Sequence, residues 1–249
     1  MKRTLIFTPV LLLLLFPSGL SAQDQPLSLL LFGNMSVPLG AFGENIGSGA
    51  EVTRRFGFYI GEDAGLAKIG FGAGAELSNT LLGSDFAWVV SAKFLSNPTD
   101  NSELTAFFTK DFKDTLSVQF ETGSWISIPV LTGFTYTFGV GEGVNLYGSL
   151  QAGLIITRQA SRKAIVSGSV VEESTFNFLA GFGYEFGVGL EFGGGYNISA
   201  RYLDVGSPYY GGTRVLNEEF FTTIPKREIS IDGDQRSVGM ILFMLGYRI

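Results

Sequence analysis

From Ala67 onward the chain alternates apolar residues with polar residues or glycine at nearly every step. A period of two marks β-strands whose two faces meet different surroundings. The clearest stretch runs from 176 to 192. Phe176, Phe178, Ala180, Phe182, Tyr184, Phe186, Val188, Leu190 and Phe192 take one face, against Asn177, Leu179, Gly181, Gly183, Glu185, Gly187, Gly189 and Glu191 on the other. The same alternation predicts strands over 67–78, 86–94, 126–138, 144–156 and 196–202. A first strand near 28–37 and a last over 237–249 are apolar on both faces, so their registers stay open.

These eight segments are separated by spacers that alternate in length. Long polar ones fall near 38–65, 98–115, 158–174 and 206–235, and short ones near 79–84, 139–143 and 193–195. The fold this predicts is all-β: a closed, antiparallel, up-and-down transmembrane β-barrel of eight strands, with short periplasmic turns and long outer loops. An even strand number lets the two edges meet, which lipid requires because an open ladder would leave backbone groups unsatisfied. Glu103, Leu104, Phe107 and Phe108 stand at helical spacing, so the second long spacer is expected to hold a turn or two of helix on the rim. Alternatively it pairs with 115–121 as an extra hairpin, giving ten strands.

Composition narrows the setting. Lys2 and Arg3 precede an apolar stretch from Leu5 to Phe16 and a weakly polar end at Ala22, the layout of a secretory leader. The expected organisation is therefore a signal peptide over 1–22 and a barrel domain over 23–249. No later apolar run approaches the length of a membrane-spanning helix, and 34 glycines and 23 phenylalanines suit strands. The formal charge is −6 with no basic run, which argues against nucleic acid as a partner. The sequence contains neither histidine nor cysteine. The commonest general base, the commonest catalytic metal ligand and any thiolate site are thereby removed, so no enzyme activity and no cofactor is expected.

Among small residues on the polar faces stand Lys68, Glu76, Lys93, Glu185, Glu191 and Arg201. Inside a narrow barrel these are candidates for lumen ion pairs that fix register; a proton or ion path is the functional alternative. Glu185 and Glu191 lie roughly 20 Å apart along one strand, too far to flank a single bond. Glu172 and Glu173, like Glu218 and Glu219, read as solvated loop surface. The strings Gly70–Gly74 and Gly193–Gly195 lack the helix that a nucleotide loop opens and read as small lumen positions and a tight turn. Outward aromatics, among them Trp88, Tyr136, Phe138, Tyr184, Phe186, Phe192, Tyr196 and Tyr202, suit a girdle at the membrane boundary. The same alternation would also serve a soluble lipocalin-like barrel with its apolar face inside.

The segments 33–43 (GNMSVPLGAFG), 123–136 (GSWISIPVLTGFTY), Ala200-Arg201-Tyr202 and Leu245-Gly246-Tyr247-Arg248-Ile249 resemble the outer-membrane β-barrel domain family, the small OmpA-like and OmpX-like barrels of Gram-negative bacteria. The resemblance implies a place in the cell outer membrane, insertion by the barrel-assembly machinery and no shared catalytic residues. Barrels of this kind usually end on an aromatic residue, whereas this chain ends on Ile249 with Tyr247 two before it, a departure that bears on assembly efficiency. The expected partners are outer-membrane lipid and an extracellular or envelope protein met by the outer loops. Tyr209, Tyr210, Phe220 and Phe221 are the loop contact candidates. A porin-like or hydrophobic-ligand transport barrel is the alternative.

Overall fold

The computed structural model describes residues 27–47, 50–53, 57–61, 64–81, 84–111, 116–217 and 226–249. The expected leader, and Phe220, Phe221, Glu218 and Glu219, lie outside these.

Each segment read as alternating forms a strand, with ends unmoved or shifted by up to four residues. In chain order the elements begin with β1 (Ser28–Leu39), a 3-10 turn (Gly40–Phe42), and the short pair β2 (Glu51–Thr53) and β3 (Gly57–Tyr59). They continue with β4 (Gly70–Thr80), β5 (Phe86–Pro98), the helix α1 (Asn101–Asp111), β6 (Val118–Thr122), β7 (Ser124–Gly141) and β8 (Val144–Arg158). The last group is β9 (Arg162–Val166), β10 (Ser169–Phe176), β11 (Leu179–Phe192), β12 (Tyr196–Gly206), β13 (Tyr209–Leu216), β14 (Arg227–Gln235) and β15 (Val238–Arg248).

Among the described residues eight strands close into a barrel in the order β1-β15-β12-β11-β8-β7-β5-β4, every pair antiparallel. The closing seam is β1 on β15, with Met35 opposite Phe243. That seam settles the registers of the two strands that are apolar on both faces. Leu30 and Phe32 of β1 and Met240, Leu242 and Met244 of β15 are buried in the lumen, while Leu31, Phe243 and Leu245 are exposed.

The barrel is inside-out relative to a soluble one. Phe182, Phe71 and Leu150 keep 73%, 67% and 63% of their surface exposed, whereas Arg201, Glu185 and Lys93 keep 1%, 1% and 2%. A soluble lipocalin-like barrel would reverse both, because apolar surface drives itself out of water and unpaired charge resists burial. The outward face is a lipid face. Among its aromatics, Phe86, Tyr136 and Phe138 pack ring on ring towards the short turns, as do Tyr196 and Tyr247. Towards the other end, Tyr184 and Tyr202 both donate to Asp204 at 3.1 Å.

Both described chain ends lie with the short turns. At one of these turns Gly194 and Gly195 have φ of +94° and +89°, the left-handed region that glycine enters without a Cβ penalty. In the wall, a Cβ on Gly187 would meet the β12 backbone oxygen of Ala200 at 2.4 Å and Arg201 Cγ at 2.6 Å. The small lumen positions of β11 thus make room for the long side chains of β12.

The long spacers are largely not loops. β7, β8, β11, β12 and β15 each break for one to three residues at the barrel rim and continue as β6, β9, β10, β13 and β14. These form a second, five-stranded sheet ordered β14-β13-β10-β9-β6. The ten-strand alternative is corrected here: β6 pairs with β9, with Phe120 opposite Ala164, and adds nothing to the barrel. The reading of 176–192 as one strand is corrected too, since the strand breaks at Asn177 and Phe178. α1 is longer than the expected turn or two, at 11 residues. Its Leu104 and Phe108 are buried against a separate core with Phe58, Val118, Phe120, Ala164, Val166 and Val171.

Candidate functional site in the lumen and outer layer

Four of the six lumen candidates meet. Glu76 comes from β4, Lys93 from β5, Glu185 from β11 and Arg201 from β12, so the cluster spans the barrel from wall to wall. Arg201 Nη1 lies 2.8 Å from Glu76 Oε2 and 3.0 Å from Glu185 Oε1, and Lys93 Nζ lies 2.9 Å from Glu185 Oε2. Gln151 of β8 donates to Glu76 at 3.0 Å and accepts from Ser91 at 2.7 Å; Lys93 donates to Ser91 at 3.0 Å. Two cations and two carboxylates cancel, which is the condition under which charges tolerate burial. Glu185 is held by Lys93 and Arg201 and Glu76 by Arg201 and Gln151, an arrangement suited to fixing the stagger of the strands. Gln151 and Ser91 were not among the candidates, although both stand on the polar faces of their strands and that parity could have found them.

Lys68 is a correction, and Glu191 keeps an ion pair of its own outside this cluster. Lys68 lies beyond β4 at the rim, where it pairs with Asp100 at 2.8 Å and donates to Asn45. Glu191 sits at the turn end, where Arg248 Nε reaches it at 2.9 Å and Arg248 Nη1 donates to Ser28 and Ser78. Alternation assigns a residue to a face but not to a height. Six residues of strand cover roughly 20 Å, so Glu185 and Glu191 belong to different layers.

Above the cluster Leu95, Leu131, Ile155, Leu203 and Met240 are buried beside the hydrogen-bonded pairs Ser36–Asn97 and Ser127–Thr157, and an aromatic group closes the lumen. Trp125 packs edge-on against Phe42 at 5.3 Å and Tyr210 at 5.4 Å, and its indole N–H donates to Gly65 O at 2.8 Å. Tyr210 is a further correction: it is fully buried, with its hydroxyl 3.2 Å from Thr157 Oγ1. Its neighbour Tyr209 is exposed, since adjacent strand residues point to opposite faces. Trp125 was missed as a closing residue, yet it extends the inward set Ser127, Pro129 and Leu131 by one step.

Alternation also splits the pair read as acidic surface. Glu173 is exposed, but Glu172 is 1% exposed. Glu172 accepts from Arg162 at 2.8 Å and from the backbone N–H of Phe58 at 2.8 Å, and Arg214 lies 3.5 Å away. It ties the β2–β3 pair to the second sheet. Phe58, Phe108 and Phe120 pack on one another at 5.0 to 5.5 Å beside it.

Asp100 joins rim to helix. One carboxylate oxygen faces Lys68; the other accepts from the Ser102 N–H at 2.9 Å, the Ser102 hydroxyl at 2.7 Å and the Glu103 N–H at 3.4 Å, an N-cap for α1. The Lys68 hydrogen bond first, and then the Ser102 hydroxyl, lower its pKa from the ordinary 3.8 to about 2. A lowered acid contributes stability above its unfolded value and loses it as the pH falls through the folded one. The cap therefore holds fully above pH 3.8 and weakens towards about pH 2. Asp100→Ala is expected to loosen α1 by about 1 kcal/mol, seen as faster amide exchange at Ser102 and Glu103 at neutral pH with the barrel amides unchanged.

Among the described residues no group of three His, Cys, Asp or Glu side chains is placed to hold a metal ion. The architecture defines a class: this chain is a small, closed, eight-stranded antiparallel barrel with its apolar face outward. Among solved structures, Neisserial surface protein A is similar at 12% identity and a TM-score of 0.40, covering 90% of this chain and 96% of that one. Ail, the attachment invasion locus protein of Yersinia pestis, is similar at 15% identity and a TM-score of 0.37, covering 91% of this chain and all of its own. No family model and no curated protein matches the chain. The count of eight barrel strands comes from this chain's own ladder.

Proposed function

We propose that this chain, exported by its leader and cut after Ala22, resides in a Gram-negative outer membrane as a non-conducting, non-enzymatic barrel. Its role is to hold a folded outer layer against surfaces or partner proteins. The observation that carries this reading is the division of labour along the strands. The lumen is occupied by a neutral ion cluster, a layer of apolar side chains and hydrogen-bonded pairs, and the Trp125 group. Five of the barrel strands run on into a sheet with a core of its own. Side chains that fill a barrel leave no water column for ions, and a preformed outer sheet lowers the ordering cost of binding compared with flexible loops. Tyr209 and Val170, exposed on that sheet, are candidate contacts. Lipid is the partner of the outward face, and the barrel-assembly machinery is its partner during insertion.

Two measurements test the reading. The unboiled protein from outer-membrane fractions is expected to migrate differently from boiled protein, and purified protein in planar bilayers is expected to give no discrete conductance. Regular conductance steps would establish the transport alternative in its place. Recovery in the soluble periplasm without a mobility shift would overturn the membrane barrel itself.

A further inference from the structure

The barrel core, with Trp125, Ala160 and Phe176, and the outer core, with Phe58, Ile60 and Leu66, are separate clusters. Between them, at the open end of the barrel, lies a cavity of about 450 Å³ with all six residues on its walls, within the range of small-molecule sites. The guanidinium groups on its lining already have partners in the protein. Arg162 reaches Glu172 and Phe58 O, Arg214 reaches Glu172 and Ser174, and Arg236 donates to Gly61 O. What the cavity offers an occupant is therefore its apolar wall. Atoms that face a void lose the contacts of a filled interior, and apolar walls give water too few partners to hold it. Trp125 is a rigid part of that wall, fixed by Phe42, Tyr210 and Gly65 O.

We propose that this cavity binds a neutral aromatic molecule of two or three rings, seated across the seam between the two cores. An apolar cavity of about 150 Å³ takes one benzene, so about 450 Å³ has room for three rings. A charged occupant would have to draw an arginine from its present partner and bury its own charge against aromatic walls, which lowers affinity. Glu51, exposed on the lining, marks the way in from solvent. The occupant touches both cores at once, so binding stiffens the join between the barrel and the outer layer. The site lies above the charged lumen cluster, and its occupancy depends neither on passage through the lumen nor on the display role.

The test uses the full mature protein in phosphatidylcholine nanodiscs with Trp88→Phe, which leaves Trp125 alone of the chain's two tryptophans. Anthracenecarboxamide is titrated and energy transfer from Trp125 is followed, with anthracenecarboxylate, substituted at the same carbon, as the charged isostere. The amide is expected to bind saturably above its linear uptake into lipid, and the carboxylate about tenfold more weakly or worse. Ala160→Leu and, from the second sheet, Ile231→Phe narrow the cavity, and each is expected to weaken the amide by about tenfold. With the amide at about ten times its dissociation constant, protease cleavage within α1 and the second sheet is expected to slow by about tenfold, because occupancy disfavours opening. Absence of saturable transfer, a carboxylate as tight as the amide, indifference to both substitutions, or unaltered cleavage would each overturn the proposal. Retention of the heat-dependent mobility shift checks that each variant is folded. If one variant does not fold, the other and the amide-against-carboxylate comparison still decide the matter. Bilayer conductance and mobility report on the barrel separately, so failure here leaves the display role standing.

Discussion

Replacing Arg201 by methionine will cost the barrel about 3–5 kcal/mol, the usual effect of removing one partner from a buried ion pair. The guanidinium is nearly inaccessible and engages both Glu76 and Glu185. Without it, two buried carboxylates share the single charge of Lys93. The loss will be read as a lower denaturant midpoint for the compact form in lipid vesicles, with the slope of the transition unchanged. Adding Glu76→Gln to Arg201→Met leaves the Lys93–Glu185 pair at 2.9 Å in place and removes the orphaned charge. That double variant will be more stable than Arg201→Met alone, a coupling expected of residues in one network. An unaltered midpoint in Arg201→Met would mean that the lumen at this height is wet, and the filled-barrel reading would fail with it.

Phe108→Ala will have a comparable effect in the other layer and spare the barrel. Phe108 is fully buried and its ring packs on Phe58 at 5.0 Å, Phe107 at 5.0 Å and Phe120 at 5.5 Å. Truncating a buried phenylalanine costs about 3–5 kcal/mol, a large share of what a core of this size supplies. The variant will be cut by protease within α1 and the second sheet under conditions that leave the parent intact, while the boiled and unboiled forms still migrate apart. Loss of the mobility shift as well would show the two layers to be one cooperative unit.

The barrel was legible because lipid and lumen impose opposite chemistry on alternate residues over long stretches. β11 writes that contrast in phenylalanine against glycine and glutamate. The second sheet was not legible. β9 and β10 are short, and their Arg162, Lys163, Glu172 and Glu173 read like solvated loop. Glu172 is buried only because Arg162 lies across from the neighbouring position on the adjacent strand, with Ser174 opposite Arg162. Tyr209 and Tyr210 show the same limit: an aromatic pair in a spacer looks like a contact surface, and alternation gives one ring to solvent and the other to the Trp125 group.

By itself, then, the sequence determined the eight alternating or apolar segments, the two-faced character of the six with clear alternation and the absence of histidine and cysteine chemistry, since these follow from local periodicity and composition. Tertiary structure decided which face is inside, how high each charge sits and what lies above the rim. Inside and outside are exchanged between a lipid barrel and a soluble one without any change in period. Height follows from the stagger between neighbouring strands, and that stagger joins residues as distant in sequence as Glu76 and Arg201, whose meeting no local pattern records.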